Sequence, residues 1–349
     1  MTLTELSYYS RRSLPFVIIF TLILFIVFYI FKLFFLYLDL NKPKKIITNT
    51  VFGKIKKPFI KEPVKTGQLN YILDTVEGEP TSASETAKVF FLPASATRFG
   101  YREKIYLIAK SMGFDTTVVK HKLVGKEASF NDDKQELTID ITNFNFSYQY
   151  QFTGDEAFFL NAFVPKRSEI ENKGINFLKN IGRYPNELAQ GKISPPIYLF
   201  YDQATKNLSI VDNPNKANMV EIDFYRPDVD IFPIVSPTFF NSQNYLVMTF
   251  FGDEYKVVKA QIKFFEKSDE EKGVYPLKTG QIAWDELKVG KGIIASAPQD
   301  SKSITIKQMF FAYFDPDIYQ EYLQPVYVFL GNGNFVGYVP AITDDYLLD

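Results

Sequence analysis

The chain has no cysteine, one histidine and one tryptophan among its 349 residues. Without cysteine there is no disulfide, no thiol nucleophile and no thiolate zinc site. With His121 as the sole histidine, a histidine-based metal cluster is excluded and a Ser-His-Asp arrangement has one possible base. The charges nearly cancel, 39 Lys and Arg against 40 Asp and Glu, for a net −1. No global field points to nucleic acid or to an acidic substrate. There is no G-x-S-x-G, and neither a phosphate loop nor a twelve-residue calcium loop is complete.

Aromatic residues and one long apolar run are what the chain has in excess. It carries 35 Phe and 22 Tyr, residue types that suit half-buried strand faces. Leu14 to Leu38 contains a single charge, Lys32. Roughly 20 apolar residues cross a bilayer as a helix, so this run is long enough. It exceeds the roughly 7–15 residues of a signal-peptide core. Phe34, Phe35, Tyr37 and Asp39 follow in place of a small-residue cleavage site. No polar stripe marks it as a buried helix of a soluble core. The reading is an uncleaved transmembrane helix over residues 14–38, after a tail of residues 1–13. Arg11 and Arg12 precede it; Lys42, Lys44, Lys45, Lys54, Lys56 and Lys57 follow. The count favours a cytoplasmic C-terminal side, while two leading arginines favour export, so charge leaves the orientation open.

Residues 39–67 are lysine-rich, contain three prolines and show no periodicity; they read as a linker or stalk touching lipid headgroups. A first α+β domain is expected over residues 68–153. Ile105, Ile108, Ala109 and Met112 share a helix face, and Gly113 ends the helix. Leu137, Ile139 and Ile141 alternate as a strand, as do Phe144, Phe146, Tyr148, Tyr150 and Phe152. A second domain is expected over residues 154–349, in two units split near 270. Its first helix shows Ile170, Ile175, Leu178 and Ile181 on one face and stops at Gly182. The hairpin from Phe130 to Ile139 aligns without gaps with that from Tyr201 to Ile210, which suggests a divergent repeat. Gly273 to Pro276 reads as a turn, and Thr279 caps a short helix ending at Gly290, with Ile282, Trp284 and Leu287 toward the sheet. Gly-Asn-Gly-Asn at 331–334 is a hairpin turn. The fold class is α+β: one transmembrane helix, then repeated helix-plus-antiparallel-sheet units.

The C-terminal third resembles the ending of the YycH/YycI family. The matching positions are Tyr275, Pro276, Ala283, Leu287, Gly290, Tyr313, Pro325, Val326 and Tyr327, the last standing where the family often carries Trp. The resemblance implies PepSY-like or β-lactamase-inhibitor-like α+β units. It implies a single-pass protein of a bacterial cell membrane with its C-terminal domain outside the cytoplasm. It also implies a sensor histidine kinase as partner, modulated through transmembrane and extracytoplasmic contacts.

Chemistry is sparse in this sequence. His121 lies among lysines and reads as a solvated strand residue. Asp315 and Asp317 flank Pro316; a calcium site or an acid–base pair competes there with a turn and helix cap. Asp132-Asp133 reads as a hairpin tip, and Asp212-Asn213-Pro214-Asn215 lacks calcium-loop spacing. No catalytic residue, metal or cofactor is assigned. The expected function is that of a non-enzymatic, membrane-anchored regulator that binds another membrane protein. Its candidate contact residues are Phe20, Phe28 and Phe31 on the anchor and Phe146, Tyr148 and Tyr150 on the aromatic strand. The alternative is an envelope module holding peptide or glycan in an aromatic-lined cleft. A carboxylate hydrolase would need two acids about 5–10 Å apart in a cleft.

Overall fold

The computed structural model describes residues 3–40, 48–67, 69–151, 155, 157–299 and 301–348. The chain divides into two units, Met1–Ile47 and Thr48–Asp349. Helix α1 (Leu3–Leu40) forms the first. Its stretch Leu14–Tyr37 has a mean hydropathy of 2.9 and no buried residue. The Thr21 hydroxyl donates to the Val17 carbonyl at 2.8 Å, so this polar group is satisfied within the helix.

The second unit opens with strands β1 (Ile55–Lys56), β2 (Asn70–Leu73) and β3 (Thr86–Phe91). Helix α2 (Tyr101–Ser111) precedes β4 (Lys122–Val124), β5 (Glu127–Asn131), β6 (Gln135–Asp140) and β7 (Phe146–Tyr150). Then come α3 (Ala157–Leu160), β8 (Ala162–Phe163), α4 (Arg167–Asn180), α5 (Asn186–Ala189) and β9 (Lys192–Ile193). Strands β10 (Ile197–Asp202), β11 (Asn207–Ile210), β12 (Met219–Tyr225), β13 (Ile234–Val235), β14 (Asn244–Phe251) and β15 (Glu254–Ile262) follow. The last elements are β16 (Lys272–Pro276), α6 (Gly280–Lys288), β17 (Ile293–Ser296), β18 (Ser303–Phe314), β19 (Tyr322–Gly331), β20 (Phe335–Pro340) and β21 (Leu347–Leu348).

These strands make two large sheets, one of eleven strands and one of eight. The eleven-stranded sheet runs β11-β10-β12-β14-β15-β7-β6-β5-β4, with β8 on β14 and β9 on β12. Helices α2 and α4 bury Ile105, Ile108, Ala109, Ile170, Phe177 and Leu178 in its core. Gly174 allows α4 close to the sheet, since a Cβ there would sit 2.4 Å from Ile222 Cδ1. The helix stops fall at Gly113 (φ 97°) and Gly182 (φ 61°), where the chain turns left-handed.

The two aligned hairpins share a register: Phe130 faces Leu137, and Tyr201 faces Leu208. Their places in the sheet differ, because β6 continues to β7 whereas β10, not β11, pairs with β12. Strand β15 of the second expected domain pairs with β7 of the first, Ile262 with Phe146 and Lys259 with Gln149. The expected domains 68–153 and 154–349 therefore share one hydrogen-bonded layer. The chain leaves this sheet for the last time after Ile262, and from Lys272 on its strands belong to the other sheet or to the β1–β21 pair, beside the expected split near 270.

The eight-stranded sheet draws on both ends of the unit. Its order is β13-β18-β19-β20-β17; β2 lies parallel to β18, and β3 sits between β16 and β19. Gly273 to Pro276, read as a turn, belong to strand β16, which pairs with β3. Residues 48–67, read as part of a stalk, are docked on the body: Asn49 bridges Val274 and Val64 N–H donates to the Ile294 carbonyl at 2.9 Å, both on this sheet, and β1 pairs with β21 in a separate two-stranded sheet. The cause is apolar. Ile55 is buried with Val89, Tyr275, Ile342 and Leu347, and Phe52 packs against them. Helix α6 buries Ala283, Trp284 and Leu287, while Ile282 is 48% exposed because it falls on the opposite side of so short a helix. The Thr279 hydroxyl accepts from Ile282 N–H, as the capping pattern predicts. The turn after β19 carries positive φ at Gly333 and Asn334.

The N-terminal segment presses on α6 at its first turn, where a Cβ on Gly280 would lie 2.0 Å from the Thr81 carbonyl oxygen. That neighbour is backbone and cannot swing away. Gly280→Ala is expected to lower stability by about 1–3 kcal/mol, read by urea unfolding with Trp284 as the sole indole probe. An unchanged midpoint would mean that residues 80–81 do not clamp the helix.

Candidate functional sites

The six candidate contact residues part into two groups. Phe20, Phe28 and Phe31 are 66%, 60% and 58% exposed on α1. Phe146, Tyr148 and Tyr150 are 3%, 1% and 6% exposed and belong to the core under α2. The Tyr148 hydroxyl lies 2.9 Å from Gln135 Oε1 and 3.2 Å from the Met112 carbonyl. These three rings are structural, since the strand's aromatic face is the one the helix covers. Phe152 lies outside the described residues. His121 is half-buried, not solvated: its Nδ1 lies 3.2 Å from the Tyr106 hydroxyl, and Tyr106 and Phe130 flank the ring. Burial, then the charge of Arg102, holds its pKa below the usual histidine range. Asn213 caps a turn of 3-10 helix through Asn215 N–H, and Asp132 accepts from Lys134 and Gln135 N–H in its hairpin.

Asp315 has a different role from either sequence expectation. It sits where the two sheets meet, just past β18, and is buried against Arg226, just past β12. Arg226 Nη1 donates to Asp315 Oδ1 at 2.5 Å. Nη2 donates to the Phe265 carbonyl at 2.5 Å and to Glu187 Oε2 at 3.1 Å; Nε donates to Glu187 Oε1 at 3.2 Å. The guanidinium carbon stands 4.3 Å from the centre of the Phe264 ring. Gln243 Nε2 closes the cluster on Asp315 Oδ2 at 2.8 Å. Burial opposes the charge on Arg226, but Asp315 and Glu187 more than offset it and raise its pKa. Burial also keeps the Asp315 carboxyl above the ordinary range although Arg226 pulls it down. A cavity of about 260 Å³ opens beside this cluster, lined in part by Phe224, Val235, Phe239 and Phe310.

A second buried acidic feature lies on β12. Glu221 and Asp223 are two apart on one strand and so share a face. Tyr245 is paired opposite Asp223, and Lys259 Nζ lies 5.5 Å from the Tyr245 ring centre. Asp223 is 4% exposed, with Oδ1 unpaired and Oδ2 3.5 Å from Ser194 Oγ. Burial first, then the neighbouring Asp223, raises Glu221 to about 7, with Lys259 opposing. Burial raises Asp223 to about 6, with Ser194 opposing. Neither acid lines the cavity at the joint or the larger cleft described next.

That cleft, of about 800 Å³, lies between residues 59–71 and the end of α6. Phe59, Tyr71, Leu287, Val289 and Ile293 line it, with Lys65 and Lys288 among the polar groups. Among the described residues no group of three or more His, Cys, Asp and Glu is placed to hold a metal ion. Sequence reasoning missed Arg226, Glu187, Gln243, Glu221 and Asp223. The one available signal was acid in an otherwise apolar strand, Met-Val-Glu-Ile-Asp-Phe-Tyr at 219–225.

The chain matches no protein-family model and no curated protein. Among solved structures it is similar to an uncharacterized protein from Eubacterium rectale, at 12% identity and a TM-score of 0.31. That match covers 81% of this chain and 90% of the other.

Two outcomes follow from these sites. Arg226→Met strands two carboxylates and is expected to cost about 3–5 kcal/mol; adding Asp315→Asn should return part of that in chemical unfolding. For Glu221 and Asp223 the folded pKa lies above the unfolded one. Their contribution to stability is complete below about pH 4 and fades as the pH passes through about 6 and 7. Asp223→Asn should therefore raise the melting temperature at pH 8 and change it little at pH 4. A difference that does not grow with pH would contradict the assignment.

Proposed function

We propose that this chain is a single-pass, membrane-anchored binding protein whose body lies outside the cytoplasm and which regulates another membrane protein. The observation that carries this reading is α1. Over Leu14–Tyr37 it is apolar on every side, and none of it is buried. In water such a surface is strongly unfavourable; in a bilayer it is matched to its surroundings. Phe20, Phe28 and Phe31 stand on it as rings free to pack against a partner helix. The body, by contrast, turns its aromatic strand inward. The resemblance to YycH/YycI proteins supports the outward orientation and makes a sensor kinase the favoured partner. It covers Tyr275 and Pro276 in β16, Ala283 and Leu287 in α6, and Pro325 to Tyr327 in β19.

The cleft between residues 59–71 and α6 supports a second reading, a module that holds an extended peptide or a glycan. Its volume falls in the range of ligand sites, and Phe59 and Tyr71 supply rings.

Because the chain lacks cysteine, one introduced thiol reports unambiguously. Asp133→Cys, at an exposed hairpin tip, should react with a membrane-impermeant maleimide in intact cells. Labelling only after permeabilisation would place the body inside. Co-purification from membranes should recover a specific membrane protein with the native anchor and lose it with a polyleucine anchor. Equal recovery would remove the anchor from the interface.

A further inference from the structure

The cavity at the sheet joint carries three independent marks of a ligand site. First, its walls are mainly rings and aliphatic side chains, including Phe224, Val235, Phe239 and Phe310, around about 260 Å³. Such walls favour an organic body over water alone.

Second, a polar group lining it lacks a partner. Gln243 is 4% exposed. Its Nε2 donates to Asp315 Oδ2 at 2.8 Å and to the Pro316 carbonyl at 3.4 Å. That contact fixes the amide, because a flipped amide would set its oxygen against a carboxylate. Gln243 Oε1 is thereby left buried with no donor. Asp317 Oδ1, two residues beyond Asp315 and outside the cavity lining, is a second buried acceptor without a donor. Both orphan atoms are acceptors. The ion pairs here join Arg226 to Asp315 and Glu187, and Lys263 to Asp317. The charged groups that line the cavity, Arg226 and Asp315, balance each other, so what the site asks of a ligand is an N–H donor for Gln243 Oε1.

Third, the wall contains backbone strain. Phe240 N–H donates to the Thr238 carbonyl at 2.5 Å across Phe239, whose φ is +45°. This is the rare, positive-φ form of γ-turn. Strain of this kind persists where surrounding structure holds it, and it gathers at ligand clamps. Here it belongs to the residue whose ring lines the cavity, 6.3 Å from the Phe310 ring.

We propose that this cavity binds a small organic amine, its ammonium directed at Gln243 Oε1 and its apolar body held by Val235, Phe239 and Phe310. The site lies in the folded body, and the proposal does not depend on the membrane orientation or on the protein partner.

The test is calorimetric titration of the full chain in detergent micelles with benzylamine and with benzoate, each against protein-free micelles. Benzylamine is expected to bind saturably and at least tenfold more tightly than benzoate. Gln243→Met should weaken it at least tenfold. Phe239→Gly relieves the positive φ and leaves Gln243, Asp315 and Arg226 in place. It should weaken benzylamine at least fivefold without lowering the melting temperature. Absence of saturable benzylamine binding, equal binding of benzoate, or unchanged affinity in Phe239→Gly would overturn the proposal.

Discussion

One buried guanidinium holds the two sheets in their relation to each other. Apolar contacts would let two sheet edges slide, since the hydrophobic effect has no direction. Arg226 does not permit this, because its fork reaches Asp315 beside the second sheet, Glu187 on α5 and the Phe265 carbonyl at once. Removing a charge from water is costly, and only close, complete pairing offsets it. The geometry that satisfies the arginine is therefore also the geometry of the body. Gln243 and the adjoining cavity inherit their shape from it.

The second constraint is topological. The chain that leaves α1 is hydrogen-bonded to the C-terminal sheet from Asn49 onward. Strand β2 then runs parallel to β18, more than two hundred residues away in sequence. The eleven-stranded layer is inserted between these two halves of the eight-stranded one.

Local features of this fold were legible in the sequence, and long-range ones were not. The apolar run, the faces of α2 and α4, the stops at Gly113, Gly182 and Gly290, and the hairpin before Phe335 all follow from spacing within a few residues. The pairing of β2 with β18 has no local signature, so residues 48–67 read as stalk. Gly273 to Pro276 read as a turn, although β3 recruits them into a strand. Phe146, Tyr148 and Tyr150 alternate correctly, but alternation does not reveal which face a helix will cover. Asp315 stood out by its Asp-Pro-Asp setting; its partner Arg226 lies 89 residues away, and nothing in one sequence joins them.

The functional account rests on a helix with no interior of its own and a body whose aromatic strand, Phe146 to Tyr150, is turned inward. Phe20, Phe28 and Phe31 are among the rings that stay exposed on that helix. The most direct measurement places a photoreactive phenylalanine analogue at position 28 of the full chain and irradiates it in native membranes. The account predicts one discrete adduct with another membrane protein, lost when the analogue is moved to a site on the body. Adducts with lipid alone would contradict it.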